Sequence, residues 1–180
     1  MKPNYYLLLI IPLMFCSCGT KPSITSSDQL EELKQMVEEK YYRIVSDRAY
    51  PQVTSAMNSL QNTGLVPRGS SVGQIDLISI PNYVTIKGDS IFAELPYYGE
   101  RQLYSGYNGS DNSVSVKGLY SDYSVTQNDK NNSYVIKIDA KSQTETIQFV
   151  ITLFPNLKSS IHLNSTSRRP IRYSGQVSAL

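Results

Sequence analysis

The sequence predicts a mainly β (α+β) domain: a curved antiparallel meander of roughly 8–10 strands, barrel-like or half-barrel, with one N-terminal amphipathic helix packed against it. Three observations predict it. Leu30, Leu33, Val37 and Tyr41 recur at spacings of three and four, the period of one helical stripe. Beyond Tyr42 the apolar period falls to two, most clearly at Tyr134, Ile136 and Ile138 and at Ile147, Phe149, Ile151 and Leu153. Most breaks between these runs are short, which permits antiparallel pairing, whereas parallel pairing would need crossovers of a dozen or more residues.

The chain has 180 residues, enough for one domain and a short appendage. Hydrophobic residues make up 40% and charged residues 18%, a balance that folds instead of remaining disordered. Seventeen basic side chains against fifteen acidic ones leave +2, too little for a nucleic-acid binder. With one histidine and two cysteines, no metal site and no Cys-His pair is expected, and no cofactor motif occurs.

Residues 1–17 read as a lipoprotein signal peptide. Lys2 precedes an apolar run over 5–15, too short for the ~20 residues that span a bilayer but long enough for a secretory core. Phe15-Cys16-Ser17-Cys18 follows, and it resembles a bacterial lipobox with Phe15 in place of the usual Leu. Cys18 is the expected acceptor of diacylglycerol and a palmitate-type chain, which would hold the protein on a membrane. Both cysteines lie here, so the mature chain would form no internal disulfide and would rely on its core.

Residues 18–27 are small and polar, a flexible tether. Residues 28–180 form the single helix-plus-sheet domain. The helix is expected over 28–40, capped by Ser27 or Asp28, with Glu31 and Glu32 in its first turn and its charged residues facing water. Strands are expected near 42–46, 74–79, 83–87, 90–95, 113–117, 120–127, 134–139, 147–153, 159–164 and 171–177. Gly88-Asp89 reads as a type II′ hairpin turn, in which Gly supplies the positive φ. Residues 50–71, broken by Pro51, Gly64, Pro67 and Gly69, form a surface excursion. With one polar face, such a sheet must curl, and the helix covers its apolar side.

Little in the chain suits catalysis. His162 lies between Ile161 and Leu163, which turns it outward, and no acid follows Glu145 to orient it. No catalytic residue is assigned. The segment 95–109 is different: Tyr97, Tyr98, Tyr104 and Tyr107 place four of fourteen tyrosines in eleven positions, and Arg101 lies among them. Tyrosine offers apolar area and a hydroxyl at low entropic cost, and Arg offers a fork of donors for an anion. Tyr97, Tyr98, Arg101, Tyr104 and Tyr107 are therefore the candidate ligand-binding residues, although rings filling a tight Pro/Gly corner would give the same pattern. Charge is also uneven. Residues 28–40 sum to −3, while Lys158, Arg168, Arg169 and Arg172 close the chain at +4. These blocks either pair internally or leave a basic end for anionic lipid or a phosphorylated glycan.

The succession of Tyr42-Arg43-Ile44, Gly88-Asp89-Ser90-Ile91, Leu95-Pro96-Tyr97-Tyr98-Gly99 and Ser165-Thr166-Ser167-Arg168-Arg169-Pro170-Ile171-Arg172-Tyr173-Ser174-Gly175 resembles an uncharacterised bacterial lipoprotein family, domain of unknown function 4251. The likeness runs from about Val37 to the C-terminus, and it departs in the longer 51–71 excursion and in Arg169. It implies an exported lipoprotein of host-associated bacteria with no known activity. It also implies that Asp89-Ser90-Ile91 is similar to an envelope O-glycosylation acceptor, with Ser90 modified. No acidic run follows Cys18, so the implied location is the periplasmic face of the outer membrane.

The expected function is that of a non-enzymatic envelope domain, membrane-anchored through its N-terminal lipid, that binds a small ligand, a glycan or a partner protein at the tyrosine corner. The alternatives are an envelope hydrolase using carboxylates in the sheet's concavity, such as Glu94, Glu100 or Asp111, and a structural or assembly factor without a pocket.

Overall fold

The computed structural model describes residues 27–61, 63, 66, 67, 69–102, 113–142 and 145–180. The expected signal segment, Cys18 and all of the tether but Ser27 lie outside these residues.

Helix α1 (Ser27–Glu39) buries Leu33, Met36 and Val37. Met36 joins the buried face, and Tyr41, expected in the stripe, lies beyond the helix, which ends at Glu39. Lys40, in the left-handed region at φ 51°, turns the chain into a strand. Tyr41 then points outward, 43% exposed.

Among the described residues ten strands follow: β1 (Tyr41–Pro51), β2 (Ile75–Asp76), β3 (Tyr83–Lys87), β4 (Ser90–Pro96), β5 (Ser113–Leu119), β6 (Asp122–Asn128), β7 (Ser133–Lys141), β8 (Thr146–Leu153), β9 (Lys158–Ser165) and β10 (Ile171–Ala179). A short helix, α2 (Ser55–Leu60), lies in the excursion between β1 and β2. Buried and accessible residues alternate along β4 and β8 as the two-residue period requires. The inward set, including Ile44, Ile86, Ile91, Ile136, Phe149, Ile151, Leu163 and Tyr173, forms one core with the buried face of α1. Each large apolar side chain so buried contributes about 1.5–3 kcal/mol, which suits a domain held without disulfides. The one expected strand that largely fails is 74–79. Only Ile75 and Asp76 pair with β1, after which Leu77 N–H donates to Asp47 O and the chain turns away.

All pairings are antiparallel, in the order β5-β4-β3-β1-β10-β9-β8-β7-β6, with β2 added beside β1. The first and last strands are thus neighbours at the middle of the sheet, and the free edges belong to β5 and β6. The sheet is a curled half-barrel. Its seam is bridged at one end by the link between those edges: Tyr120 N–H donates to Asp89 O and Ser121 N–H to Asp139 O. Tyr120 stacks on Tyr123, and Lys40 Nζ donates to the Tyr120 hydroxyl at 3.2 Å, tying the helix exit to the seam.

Two local features shape the surfaces discussed below. Gly88, at φ 54°, makes the β3–β4 turn as predicted. Between β1 and β10 the register shifts at Ser46/Arg48, so Asp47 is the extra residue of a bulge. Asn82 staples it, accepting from Ser46 N–H at 2.8 Å and donating to Ser46 O at 2.9 Å. Opposite the bulge, a Cβ on Gly175 would lie 2.0 Å from Val45 O, so only glycine fits.

Candidate functional site

The tyrosine corner is a junction between two distant segments. After β4 the chain passes Pro96 and runs beside residues 167–170, the approach to β10. Gln102 N–H donates to Ser167 O, Arg169 N–H donates to Glu100 O, and Arg101 bridges Arg168. The Leu-Pro-Tyr-Tyr-Gly and Ser-Thr-Ser-Arg-Arg stretches, seventy residues apart in sequence, therefore share one site.

Tyr97 lies at its centre, 5% exposed. Its hydroxyl is 2.9 Å from Glu100 O and 3.0 Å from Arg169 O and shares its single proton between them. Gly99 makes room for this, since a Cβ there would meet the Tyr97 hydroxyl at 2.4 Å. Beneath the corner the Tyr173 hydroxyl donates to Pro96 O at 3.0 Å.

Two ion pairs fix the junction. On the inner side, Arg168 Nε donates to Glu145 Oε1 at 2.8 Å, and the guanidinium lies 5.0 Å from the centre of the Tyr97 ring. The other Glu145 oxygen accepts from the hydroxyls of Ser165 and Ser167. Burial alone would raise the Glu145 pKa, but the two hydroxyls and the Arg168 charge outweigh it and hold the carboxyl below its ordinary value. On the outer side, Arg169 Nε donates to Glu100 Oε2 at 3.1 Å. Thr54 Oγ donates to the other Glu100 oxygen at 2.6 Å while accepting from Met57 N–H, so one hydroxyl both caps α2 and fastens it to the corner. The Thr54 bond, with help from Arg169, lowers the Glu100 pKa against its own desolvation.

Between α2, the chain leading into β2 and the corner lies an open pocket of about 400 Å³. Ala56, Met57, Val72, Ile75 and Tyr98 supply its apolar walls, and Glu100 stands at one side. Burial raises the Tyr98 pKa, so its hydroxyl is a neutral donor at physiological pH.

The expected ligand-binding residues thus occupy different places. Tyr97 and Tyr98 both line the pocket, Tyr97 with its hydroxyl held by the Glu100 and Arg169 carbonyls and its ring beside Arg168, and Arg101 belongs to the bridge with Arg168. Tyr104, Tyr107 and Asp111 lie outside the described residues, as does Cys18. Ser90 opens β4 beside the hairpin turn, half-buried and opposite Leu119. Glu94 alternates with buried Ala93 and Leu95 and pairs across to Tyr83 and Ser115, away from the apolar interior. Glu100 is held by Thr54 and Arg169, so the two carboxylates do not converge. His162 is exposed between buried Ile161 and Leu163, as its neighbours predict. Among the described residues no group of three or more His, Cys, Asp or Glu side chains is arranged to hold a metal.

Among the described residues, the ion pairs of the closing charges go to Glu145 and Glu100. Arg168 and Arg169 are neutralised by Glu145 and Glu100, which leaves Lys158 and Arg172. Glu145 and Thr54 are the site residues that sequence reasoning missed. The only signal was that Glu145 is the last acid before a serine- and arginine-rich run, and that Thr54 precedes a short apolar pattern.

Comparison with known proteins agrees with this frame. The model of the family described as Domain of unknown function (DUF4251) matches residues 25–177. Among solved structures, the chain is similar to a DUF4251 family protein from Bacteroides eggerthii DSM 20697, with 14% identity, a TM-score of 0.58, and coverage of 84% of this chain and 88% of that one. At that identity the likeness shows a shared fold. No curated protein matches.

Proposed function

The chain belongs to the DUF4251 family, and from that premise we propose that it is a non-enzymatic, lipid-anchored envelope domain that binds a small apolar molecule in the pocket beside Tyr98. Cys18 carries the lipid, and the domain faces the periplasm from the outer membrane. The observation that carries the ligand reading is the pocket itself: its volume of about 400 Å³ falls within the usual range for small-molecule sites. Its walls are apolar, with Tyr98 and Glu100 bordering them to orient a ligand. Two ion pairs and the Thr54 cap hold those walls, so little ordering is needed when a ligand enters.

The test is recovery of the ligand. Protein isolated from envelope extract is expected to release an apolar compound into organic solvent, identified by mass spectrometry. An Ala56→Trp variant, which places an indole in the pocket from an exposed position on α2, is expected to release none. Equal recovery from both would refute the pocket as the site.

A further inference from the structure

A second concave surface lies on the outer face of the sheet, where β1, β10 and β9 run side by side. It is a groove of about 750 Å³ that shares no lining residue with the pocket beside Tyr98. Its position follows from register. Tyr50 pairs with Arg172, Arg48 with Ser174, and Gln176 with Lys158, so the outward side chains of three strands meet there. The Asp47 bulge bends β1 at one end, and the β8–β9 turn raises Phe154 and Pro155 as a wall at another.

The chemistry of this groove is one-sided. Arg48, Lys158 and Arg172 are exposed, and among the described residues none of them makes an ion pair. The one acid in the lining is Asp47, whose Oδ1 accepts from the Ser174 hydroxyl at 2.9 Å. Arg172 lies 4.7 Å from the centre of the Tyr50 ring, which fixes the plane of its fork. Along β9 and β10 the outward Ser160 and Gln176 side chains lie between these charges and line the groove.

We propose that this groove binds an acidic oligosaccharide. Arg48 and Arg172 take its carboxylates, because a guanidinium matches them with two parallel donors. Lys158 adds a third positive charge at the other end. The Tyr50 ring and Phe154 offer faces to the C–H side of a sugar, and the Ser160 and Gln176 side chains meet its hydroxyls. The cleft is much larger than a single inorganic anion needs, and its concavity suits a chain of a few sugar rings better than a flat membrane.

The test uses the full chain carrying Cys18→Ser, purified in detergent and titrated calorimetrically with tetragalacturonate, a hyaluronan tetrasaccharide and neutral galactotetraose. At least one acidic tetrasaccharide is expected to bind, at least tenfold more tightly than the neutral one, and more weakly as salt rises. The double variant Arg48→Gln/Arg172→Gln is expected to lose at least tenfold in affinity. Lys158→Gln, which touches no packed ring, is expected to lose severalfold. Absence of binding by both acidic sugars, equal binding of the neutral one, or affinity unchanged in both variants would overturn the proposal. Ala56→Trp should leave this titration unchanged, so failure here and failure of the apolar pocket are separate outcomes.

Discussion

Arg168 and Glu145, twenty-three residues apart, meet through a 2.8 Å bond with only 6% and 3% of their side chains exposed. The pair joins the start of β8 to the approach to β10 directly beneath Tyr97. A buried pair of this kind is not a large net source of stability compared with an apolar substitute, yet removing one partner strands the other charge.

Arg168→Met is therefore expected to destabilise the domain by about 3–5 kcal/mol, and Glu145→Leu by a similar amount. The double variant Glu145→Leu/Arg168→Met is expected to recover part of that loss, because no unpaired charge remains. Urea denaturation of the four proteins checks this. Strict additivity of the two losses would mean that the residues do not act as a pair.

The same pair sets an acid limit. Glu145 has a folded pKa below its unfolded value of 4.5, so its stabilisation is complete above that value and disappears as pH falls through the lower folded value. Glu100 shifts in the same direction. The stability difference between wild type and Glu145→Gln is expected to be constant from about pH 7 to pH 5 and to shrink below the ordinary carboxylate range. Denaturation midpoints measured across that span give the answer, and a difference that grows on acidification would contradict the assignment.

The architecture was legible in the sequence because one face of almost every strand is buried, so alternation at Ile147, Phe149, Ile151 and Leu153 states both element and orientation. The Gly88 turn was legible for the same local reason: a positive φ in a two-residue loop needs glycine. What could not be read was long-range. Nothing near Glu145 announces Arg168, and nothing near Thr54 announces Glu100, because those contacts exist only once β10 returns beside β1 and brings residues 167–170 against the corner. The tyrosine cluster was visible as composition. The tethering of the Tyr97 hydroxyl to the Glu100 and Arg169 carbonyls beside the pocket depended on Gly99 admitting it. The expected strand at 74–79 failed because Leu77 is drawn to the backbone of the Asp47 bulge, a feature of another strand.

The proposed membrane attachment rests on Cys18. Metabolic labelling with a palmitate analogue is expected to mark the wild type and not Cys18→Ala. Equal labelling of the variant would refute the anchor.

The most direct measurement of the central claim is a titration of the pocket with the neutral fluorophore N-phenyl-1-naphthylamine. The wild-type chain is expected to bind one equivalent with a rise in emission. Ala56→Trp is expected to abolish that rise, and Arg172→Gln, in the other groove, is expected to leave it unchanged. Emission that does not rise with wild type, or that rises equally with Ala56→Trp, would contradict the assignment of the Tyr98 pocket as a binding site.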